Sequence, residues 1–417
     1  MNRRTFLAAS AVGMASMNAF GAPSNRVRVG LMGAGGRGKE LSKVYSGIPG
    51  VEISVIADVD ENRAKDVAGL VEKAAGKAPR TETDFRKILD DKNVDVFVCA
   101  APNHWHAPAT ILATKAGKHV YVEKPCSHNP REGEIMVEVA AKHNRLVQMG
   151  NQRRTWPKIR EAMESIQKGE IGEVHLAQSW YLNNRASIGK GIEKPVPAEL
   201  NFDLWQGPAP RKPYKDNYLH YNWHWFWHWG NGELGNNGIH MIDICRWGLG
   251  VEYPTSVYSS GGRYHFQDDQ ETPDTNTVEF NFQGGKHLQW FGLSCNRSPI
   301  EKHPDIVFTG TKGSLVIRGG AYFVHDLKGK ELRKDTGDAG INEHVTNFIQ
   351  AVRGDAKLNS PIAEGAKSTL LCHLGNIAYR TGKMIKCDAS NGKILNDPAA
   401  MKMWSREYQP GWEPTVS

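Results

Sequence analysis

Val27-Arg28-Val29-Gly30-Leu31-Met32-Gly33-Ala34-Gly35-Gly36-Arg37-Gly38-Lys39-Glu40 is the stretch on which the fold turns. Six residues of strand character run straight into a glycine-rich turn and then into residues that suit a helix. In that order Gly33 makes a tight turn, Gly35 lets a phosphate approach the backbone, and Gly38 allows helix to pack on strand, with Gly36 and Arg37 between them. The free N–H groups and partial positive charge at the helix start then face the phosphates. A glycine-rich turn alone is common. Asp58 supplies a second element, because an acid about twenty residues on is where the adenosine ribose hydroxyls sit. With Asp60 and Glu61 close behind, a 2′-phosphate would meet repulsion, so the pattern favours NAD over NADP.

Outward from this turn the chain alternates strand-like and helix-like segments. Strand candidates are Val27–Met32, Ile53–Ala57, Val94–Ala100, His119–Val122 and Leu146–Met149. Between them fall the helical patterns Asn62–Ala75, Ala107–Ala116 and Arg131–His143. Continuous apolar strands between amphipathic helices predict an α/β unit, an N-terminal Rossmann doubly wound parallel sheet covered on both faces, over residues 23–149. From about Gly150 the grammar changes. A helical stretch at Trp156–Lys168 leads to a strand candidate at Glu173–Tyr181 and a long Pro-, Asn- and Trp-rich connection. Then Ser256–Ser260, Asn276–Phe282, His287–Leu293, Ile306–Thr309 and Ser314–Ile317 read as neighbouring strands with glycine-containing turns. This predicts an α+β domain over 150–417, with a large, mostly antiparallel open sheet flanked by helices near Glu343–Val352 and Ala363–Thr381.

The 417 residues exceed what one hydrophobic core usually serves, in keeping with two domains. The net charge of +7 is dispersed among acids, with no basic run of the kind that grips nucleic acid. The six cysteines are far apart and several sit in apolar runs, as Cys99 does in VDVFVCA, which reads as buried free thiols rather than a disulfide framework. No metal-ligand spacing is present among them. Residues 1–22 follow the order charged region, apolar region, small-residue cleavage site, with Arg3 and Arg4 paired before Thr5-Phe6-Leu7. This resembles a twin-arginine export signal, too short to span a membrane. The expectation is a periplasmic or exported protein without a membrane anchor once the signal is removed.

Two further stretches extend the pattern. Ala101-Pro102-Asn103-His104-Trp105-His106 ends one strand and Glu123-Lys124-Pro125 ends the next. With the glycine turn and Asp58, they resemble the Gfo/Idh/MocA oxidoreductase family over essentially the whole mature chain. The resemblance implies a Rossmann domain followed by an open-sheet domain, NAD(P)-linked chemistry on sugars and polyols, and a homo-oligomer. It also implies that Lys124 lies beside the nicotinamide and assists proton movement at the reacting hydroxyl. Glu123, Asn103, His106 and Asn151 fall where relatives touch the cofactor.

In the second half, Gly232-Glu233-Leu234-Gly235-Asn236-Asn237-Gly238-Ile239-His240-Met241-Ile242-Asp243 carries the remaining chemistry. Apolar residues at helical spacing predict a helix from Ile239 with an upstream asparagine cap, placing His240 in its first turn. There the helix dipole would keep the ring neutral. Relatives commonly use an Asp-x-x-x-His pair here; His240 matches the histidine, but Asn236 stands where the acid would be. An amide can orient the imidazole or bind a hydroxyl but cannot act as a base. Asp243 is either close to substrate or structural. His220-Tyr221-Asn222-Trp223-His224-Trp225-Phe226-Trp227-His228-Trp229 reads either as a sugar-stacking platform or as interface packing, with Trp223 and His224 as substrate contacts. The four-residue spacing of its histidines lacks the carboxylate or cysteine partners of a metal site. Tyr181 and Arg153 are further substrate candidates.

These features predict an NAD-dependent oxidoreductase that moves hydride between a tightly held cofactor and a small carbohydrate, with Lys124 and His240 handling the proton and Asn236 orienting. An alternative is an NAD-dependent glycoside hydrolase acting by transient C3 oxidation and elimination. A non-catalytic sugar- or NAD-binding protein is the third reading.

Overall fold

Apolar runs with no polar face need cover on both sides, and each early run becomes an inner strand. The structure, a computed structural model, describes residues 26–296 and 303–417; the export signal expected at Arg3-Arg4 lies outside the described residues. Strands β1 (Val27–Met32), β2 (Val51–Ala57), β3 (Arg80–Glu82), β4 (Val96–Cys99), β5 (His119–Val122) and β6 (Val147–Met149) form one six-stranded sheet in the order β3-β2-β1-β4-β5-β6. Every pairing is parallel. Helices α1 (Gly36–Ser46), α2 (Glu61–Ala75), α3 (Arg86–Asp90), α4 (Asn103–Lys115) and α5 (Pro130–Lys142) connect the strands. Asp60 caps α2 by accepting from the Asn62 and Arg63 amides, and Asn129 caps α5 ahead of Pro130. Asp60 is therefore an end cap in a buried position, which the sequence reading had placed only as a repulsive charge.

Helix α6 (Pro157–Gln167) leads into β7 (Val174–Leu182), then α7 (Phe202–Gln206) and α8 (Ile239–Leu249) precede the remaining strands. These are β8 (Ser256–Gly262), β9 (Thr275–Asn281), β10 (His287–Leu293), β11 (Ile306–Gly310), β12 (Gly313–Arg318), β13 (Ala321–Asp326), β14 (Glu331–Asp335) and β15 (Ile385–Lys386). The sheet order is β14-β13-β12-β11-β7-β10-β9-β8-β15, antiparallel except where β10 lies beside β7. In β9, Asn276, Val278 and Phe280 are buried while Thr277 and Glu279 face out, the alternation of a sheet with one covered face.

Helices α9 (Asn342–Arg353) and α10 (Ile362–Thr381) follow β14 in the chain but reach back to the first sheet. Val345, Phe348 and Ile349 of α9 pack with Val29, Leu31 and Tyr121 on one face of the parallel sheet. The opposite face shares a continuous apolar core with the second sheet, running from Phe97 and Val122 through Ile242 to Trp290 and Phe308. The two halves are thus fused by burial, at about 1.5–3 kcal/mol per large side chain, rather than hinged on a thin linker. All six cysteines are free and buried. No described helix is long and apolar enough to cross a membrane.

The connection from residue 183 to residue 232 crosses above the first sheet. Leu200 bridges Asp60, Asn201 N–H donates to the Val59 carbonyl (2.8 Å), and Glu61 N–H donates to Glu199 (3.2 Å) on one rim. On the other rim His104 N–H donates to the Trp229 carbonyl (3.2 Å), and Trp105 Nε1 donates to the Trp205 carbonyl (2.9 Å). Leu200, Phe202, Trp205, Tyr218, Phe226 and Trp229 give this roof an apolar core of its own. Of the Trp-rich stretch, Trp223, Phe226 and Trp229 pack into this core, and Trp223 and His224 also face the space below.

Candidate active site

Below the roof, at the carboxyl ends of β1, β2, β4 and β5, lies a cavity of about 380 Å³, lined at one end by the glycine turn and at the other by Lys124, Asn236 and His240. This is where an open α/β sheet binds its ligand.

The glycine turn is shaped by close approach. Gly33 has φ +94°, and a Cβ there would lie 2.7 Å from the Ala100 carbonyl carbon and oxygen. A Cβ on Gly38 would lie 1.8 Å from the Gly33 carbonyl oxygen, so Gly38 acts by packing α1 under the turn and does not itself line the cleft. Gly35 precedes α1 without any side-chain cap, and the first amides of a helix have no partner within it. That end of the cleft fits a pyrophosphate. Asp58 accepts from the Ala34 amide (2.5 Å) and the Asp60 amide (2.9 Å). Burial raises its carboxyl pKa, and those two amides offset the rise in part. Asn103, at the start of α4, is buried with its Oδ1 lacking any partner, an acceptor waiting on a donor in the cleft. A dinucleotide fits this combination: an open helix start, a carboxylate at the β2 end, and an orphaned amide oxygen.

Glu123 and Lys124 diverge from the end of β5. Arg37 Nε donates to Glu123 Oε1 at 2.7 Å. Burial pushes the Glu123 carboxyl upward, but the guanidinium and the Lys124 ammonium outweigh it and hold the group below the ordinary value. The Lys124–Pro125 peptide is cis. Lys124 Nζ donates to the Asn236 carbonyl oxygen (2.8 Å) and to Asn236 Oδ1 (3.1 Å). Two of its tetrahedral positions are filled by one asparagine; the third is either a proton or a lone pair. Burial lowers the Lys124 pKa, with Glu123 offsetting only part of the effect. Asn236 is thus partner to the lysine rather than to His240.

His240 does not open a helix. Residues Leu234–Gly238 form a π turn that runs directly into α8, with no side-chain cap at the junction. The helix-start account of its neutrality is corrected: burial first, and Lys124 second, hold its pKa well below the usual histidine value. Its Nδ1 is buried without a partner. Turns of π type inside helices recur at functional sites because they re-aim side chains.

Trp223 and His224, with ring centroids 3.6 Å apart, line the cleft from the roof, joined by His220 and Tyr221 of the same stretch and by Trp205, for which the sequence gives no signal. The three spaced histidines are engaged separately: His220 with Asp60, His224 with the Tyr221 carbonyl, and His228 with the Pro210 carbonyl. Among the described residues no His, Cys, Asp or Glu group of three could hold a metal.

Several selected residues stand elsewhere. Asp243 is fully buried, accepting from Arg154 Nε (2.8 Å), Asn151 Nδ2 (2.6 Å) and Ser368 Oγ (2.6 Å). Asn151 is taken up in the same network and does not line the cleft. Arg153 pairs with Asp305 (2.8 Å) and lies over Trp156. His106 lines the cleft, but its ring spans between the Pro125 and Ala101 carbonyls (2.6 and 2.7 Å) and braces two strand ends. Tyr181 sits with Arg185 beside the cleft rather than in its wall. Replacing Asp243 with alanine is expected to cost about 3 kcal/mol of stability, because the buried Arg154 loses its close carboxylate and keeps only Glu364 at 3.8 Å. Chemical denaturation checks this, and nucleotide binding by the folded fraction should persist.

The chain belongs to the Gfo/Idh/MocA oxidoreductase family: residues 27–151 match its NAD-binding Rossmann fold and residues 178–414 its C-terminal alpha/beta domain. It is 29% identical over 235 residues to levoglucosan dehydrogenase from Pseudarthrobacter phenanthrenivorans, a stretch covering 54% of this chain and 51% of that protein. It is 30% identical over 163 residues to a glycosyl hydrolase family 109 protein from Saccharopolyspora erythraea, covering 38% and 35%. The matched stretch spans about half or less of these two relatives' length. Among solved structures, levoglucosan dehydrogenase in complex with NADH and levoglucosan superposes with a TM-score of 0.68 at 20% identity, covering 87% of this chain and 99% of that one.

Proposed function

We propose that this protein transfers hydride between NAD held in the cleft and a carbinol carbon of a sugar, polyol or glycoside, and keeps the cofactor through successive turnovers. The observation that carries the reading is the Lys124 amine, pinned on two sides by Asn236 with its third position free, in the same cleft as the glycine turn and the unpartnered His240. NAD, when bound, supplies the hydride chemistry. Lys124 accepts the hydroxyl proton during oxidation and returns it during reduction. His240, kept neutral by burial, offers a second nitrogen to the same oxygen. Asn236 holds the amine in place, and the roof aromatics shed water from around the reacting atoms.

Retention of the cofactor is supported by the roof, which is hydrogen-bonded to both rims of the cleft. The Arg3-Arg4 leader belongs to the same reading: outside the cytoplasm no free NAD pool replenishes an exchanged cofactor. A retained cofactor must be restored within each cycle. The glycosyl hydrolase relative therefore keeps a second reading in view, transient oxidation followed by elimination, hydration and re-reduction.

Protein purified without added nucleotide, then denatured, is expected to release close to one NAD(H) per chain. Incubation with aryl glycosides separates the two chemistries. Aglycone release without net NADH supports hydrolysis, and lasting NADH formation with a sugar or polyol supports a dehydrogenase. A folded protein that neither carries nor binds NAD overturns both.

A further inference from the structure

The bonds just beyond the Lys124 end of the cleft converge on Arg185, a residue 61 positions away in sequence. Its Nε donates to Glu233 Oε2 at 2.7 Å and its Nη2 to Glu233 Oε1 at 3.2 Å, a fork-on-carboxylate pair. Nη2 also donates to the Tyr181 hydroxyl and Nη1 to the Tyr221 hydroxyl, both at 3.1 Å. The guanidinium lies 4.8 Å from the Trp225 ring centroid, with the Tyr181 and Tyr221 rings at 5.9 and 5.8 Å. Glu233 is 4% exposed and takes a further bond from Asn237 Nδ2.

Glu233 is the residue immediately before the π turn, and Asn236, which holds Lys124, is inside it. Glu233 leads into the turn, and its carboxylate reaches over it to accept from Asn237 Nδ2 near the far end. Arg185 in turn anchors Glu233 to the exit of β7, where its amide donates to the Ser294 carbonyl at 2.9 Å. Burying such a pair gains little fold stability on balance, since desolvation offsets the attraction. Its worth lies in geometry.

We propose that Arg185 and Glu233 are positioning residues that lock the π turn, and with it Asn236, so that Lys124 presents its third position to the substrate hydroxyl. The proposal rests on the oxidoreductase reading only for the last step; the mechanical link to Lys124 stands without it. The pair also flanks the lysine electrically. Lys124 is faced by Glu123 with its partner Arg37, by Glu233 with its partner Arg185, and by the rings of His106, His224 and His240. Each carboxylate favours the ammonium and each guanidinium opposes it. Removing one member of the Arg185–Glu233 pair leaves the other uncompensated, so the two removals act on the lysine in opposite directions.

The test is competitive labelling of the full chain with acetic anhydride, which acylates only the neutral amine, with the Lys124 peptide quantified by mass spectrometry across pH. Glu233→Gln should raise Lys124 labelling near neutral pH roughly threefold or more, and Arg185→Gln should lower it by a similar factor. Glu233→Asp should restore most of the parental profile. Tryptophan fluorescence with added NAD is read on every variant. Opposite shifts with NAD binding retained support the proposal. Shifts of one sign in both variants, or none, overturn it, as does a Glu233→Gln protein whose melting temperature collapses while Lys124 labelling in the folded fraction is unchanged. Failure of the parent chain to bind NAD would sink the oxidoreductase reading alone and leave the labelling result to decide the link.

Discussion

Lys124→Met is expected to leave a folded protein that still carries NAD(H) and turns over its substrate about 10²–10⁴-fold more slowly, the range for loss of a positioned proton-transfer group. The methionine keeps the apolar stem, so the cleft wall stays filled, while the amine that meets Asn236 at 2.8 and 3.1 Å is gone. Asn236 is left with two acceptors facing the cleft and no donor, which costs local order but not the fold. The pH dependence has a definite sign. For oxidation the working form is the neutral amine, present above the Lys124 pKa. Burial lowers that pKa, with Glu123 offsetting only part, so activity should rise on a limb lying below that of an ordinary lysine. In Lys124→Met the limb should vanish, leaving a flat, slow rate. Single-turnover reduction of bound NAD, followed by its absorbance across pH, measures both quantities. A variant with a parental rate and an intact limb would remove Lys124 from the chemistry.

That prediction was within reach of the sequence, and the reasons mark out what sequence reading can see. The E-K-P triplet ends an apolar strand, and the glycine turn follows one; both are local, so spacing along the chain carries them. β13 and β14 leave little signal in the sequence because Ala321–Asp326 has only two inward residues and Glu331–Asp335 is an exposed edge with none. Arg80–Glu82 escaped for the same reason. The π turn was not legible either. Four of its five residues, LGNNG, are glycine or asparagine and favour helix poorly, and they hold helical form because Glu233 is gripped by Arg185, a partner 48 positions upstream. The same gap reaches His240, whose pKa is lowered by burial and by Lys124 rather than by a helix start. Asp243 shows the converse. An acid one turn beyond a catalytic candidate looks functional in sequence, and only the packing of Arg154, Asn151 and Ser368 around it shows where its charge is spent.

Two alanine substitutions three residues apart in the glycine turn are expected to fail in different ways. In Gly38→Ala the new methyl would sit 1.8 Å from the Gly33 carbonyl oxygen, a backbone atom with Ala100 packed behind it, so neither side yields without moving β1 or α1. The cost should be about 3 kcal/mol or more, with loss of NAD following from loss of the fold. In Gly35→Ala the backbone is already one that any residue adopts, φ −69° and ψ −171°, and the only near neighbour is the Arg63 Nη1 tip at 3.3 Å. A flexible side-chain end gives way easily, so stability should stay within about 1 kcal/mol of the parent. The methyl nevertheless stands beside the open start of α1, on the face where a pyrophosphate would meet the amides. NAD affinity is therefore expected to fall by at least about tenfold, or about 1.4 kcal/mol. Denaturant unfolding paired with NAD titration on the refolded, nucleotide-free protein separates the outcomes. If Gly35→Ala bound NAD as the parent does, phosphates could not lie against this turn. The cofactor would then have to enter the cleft in another orientation, and Lys124 would no longer face a nicotinamide ring.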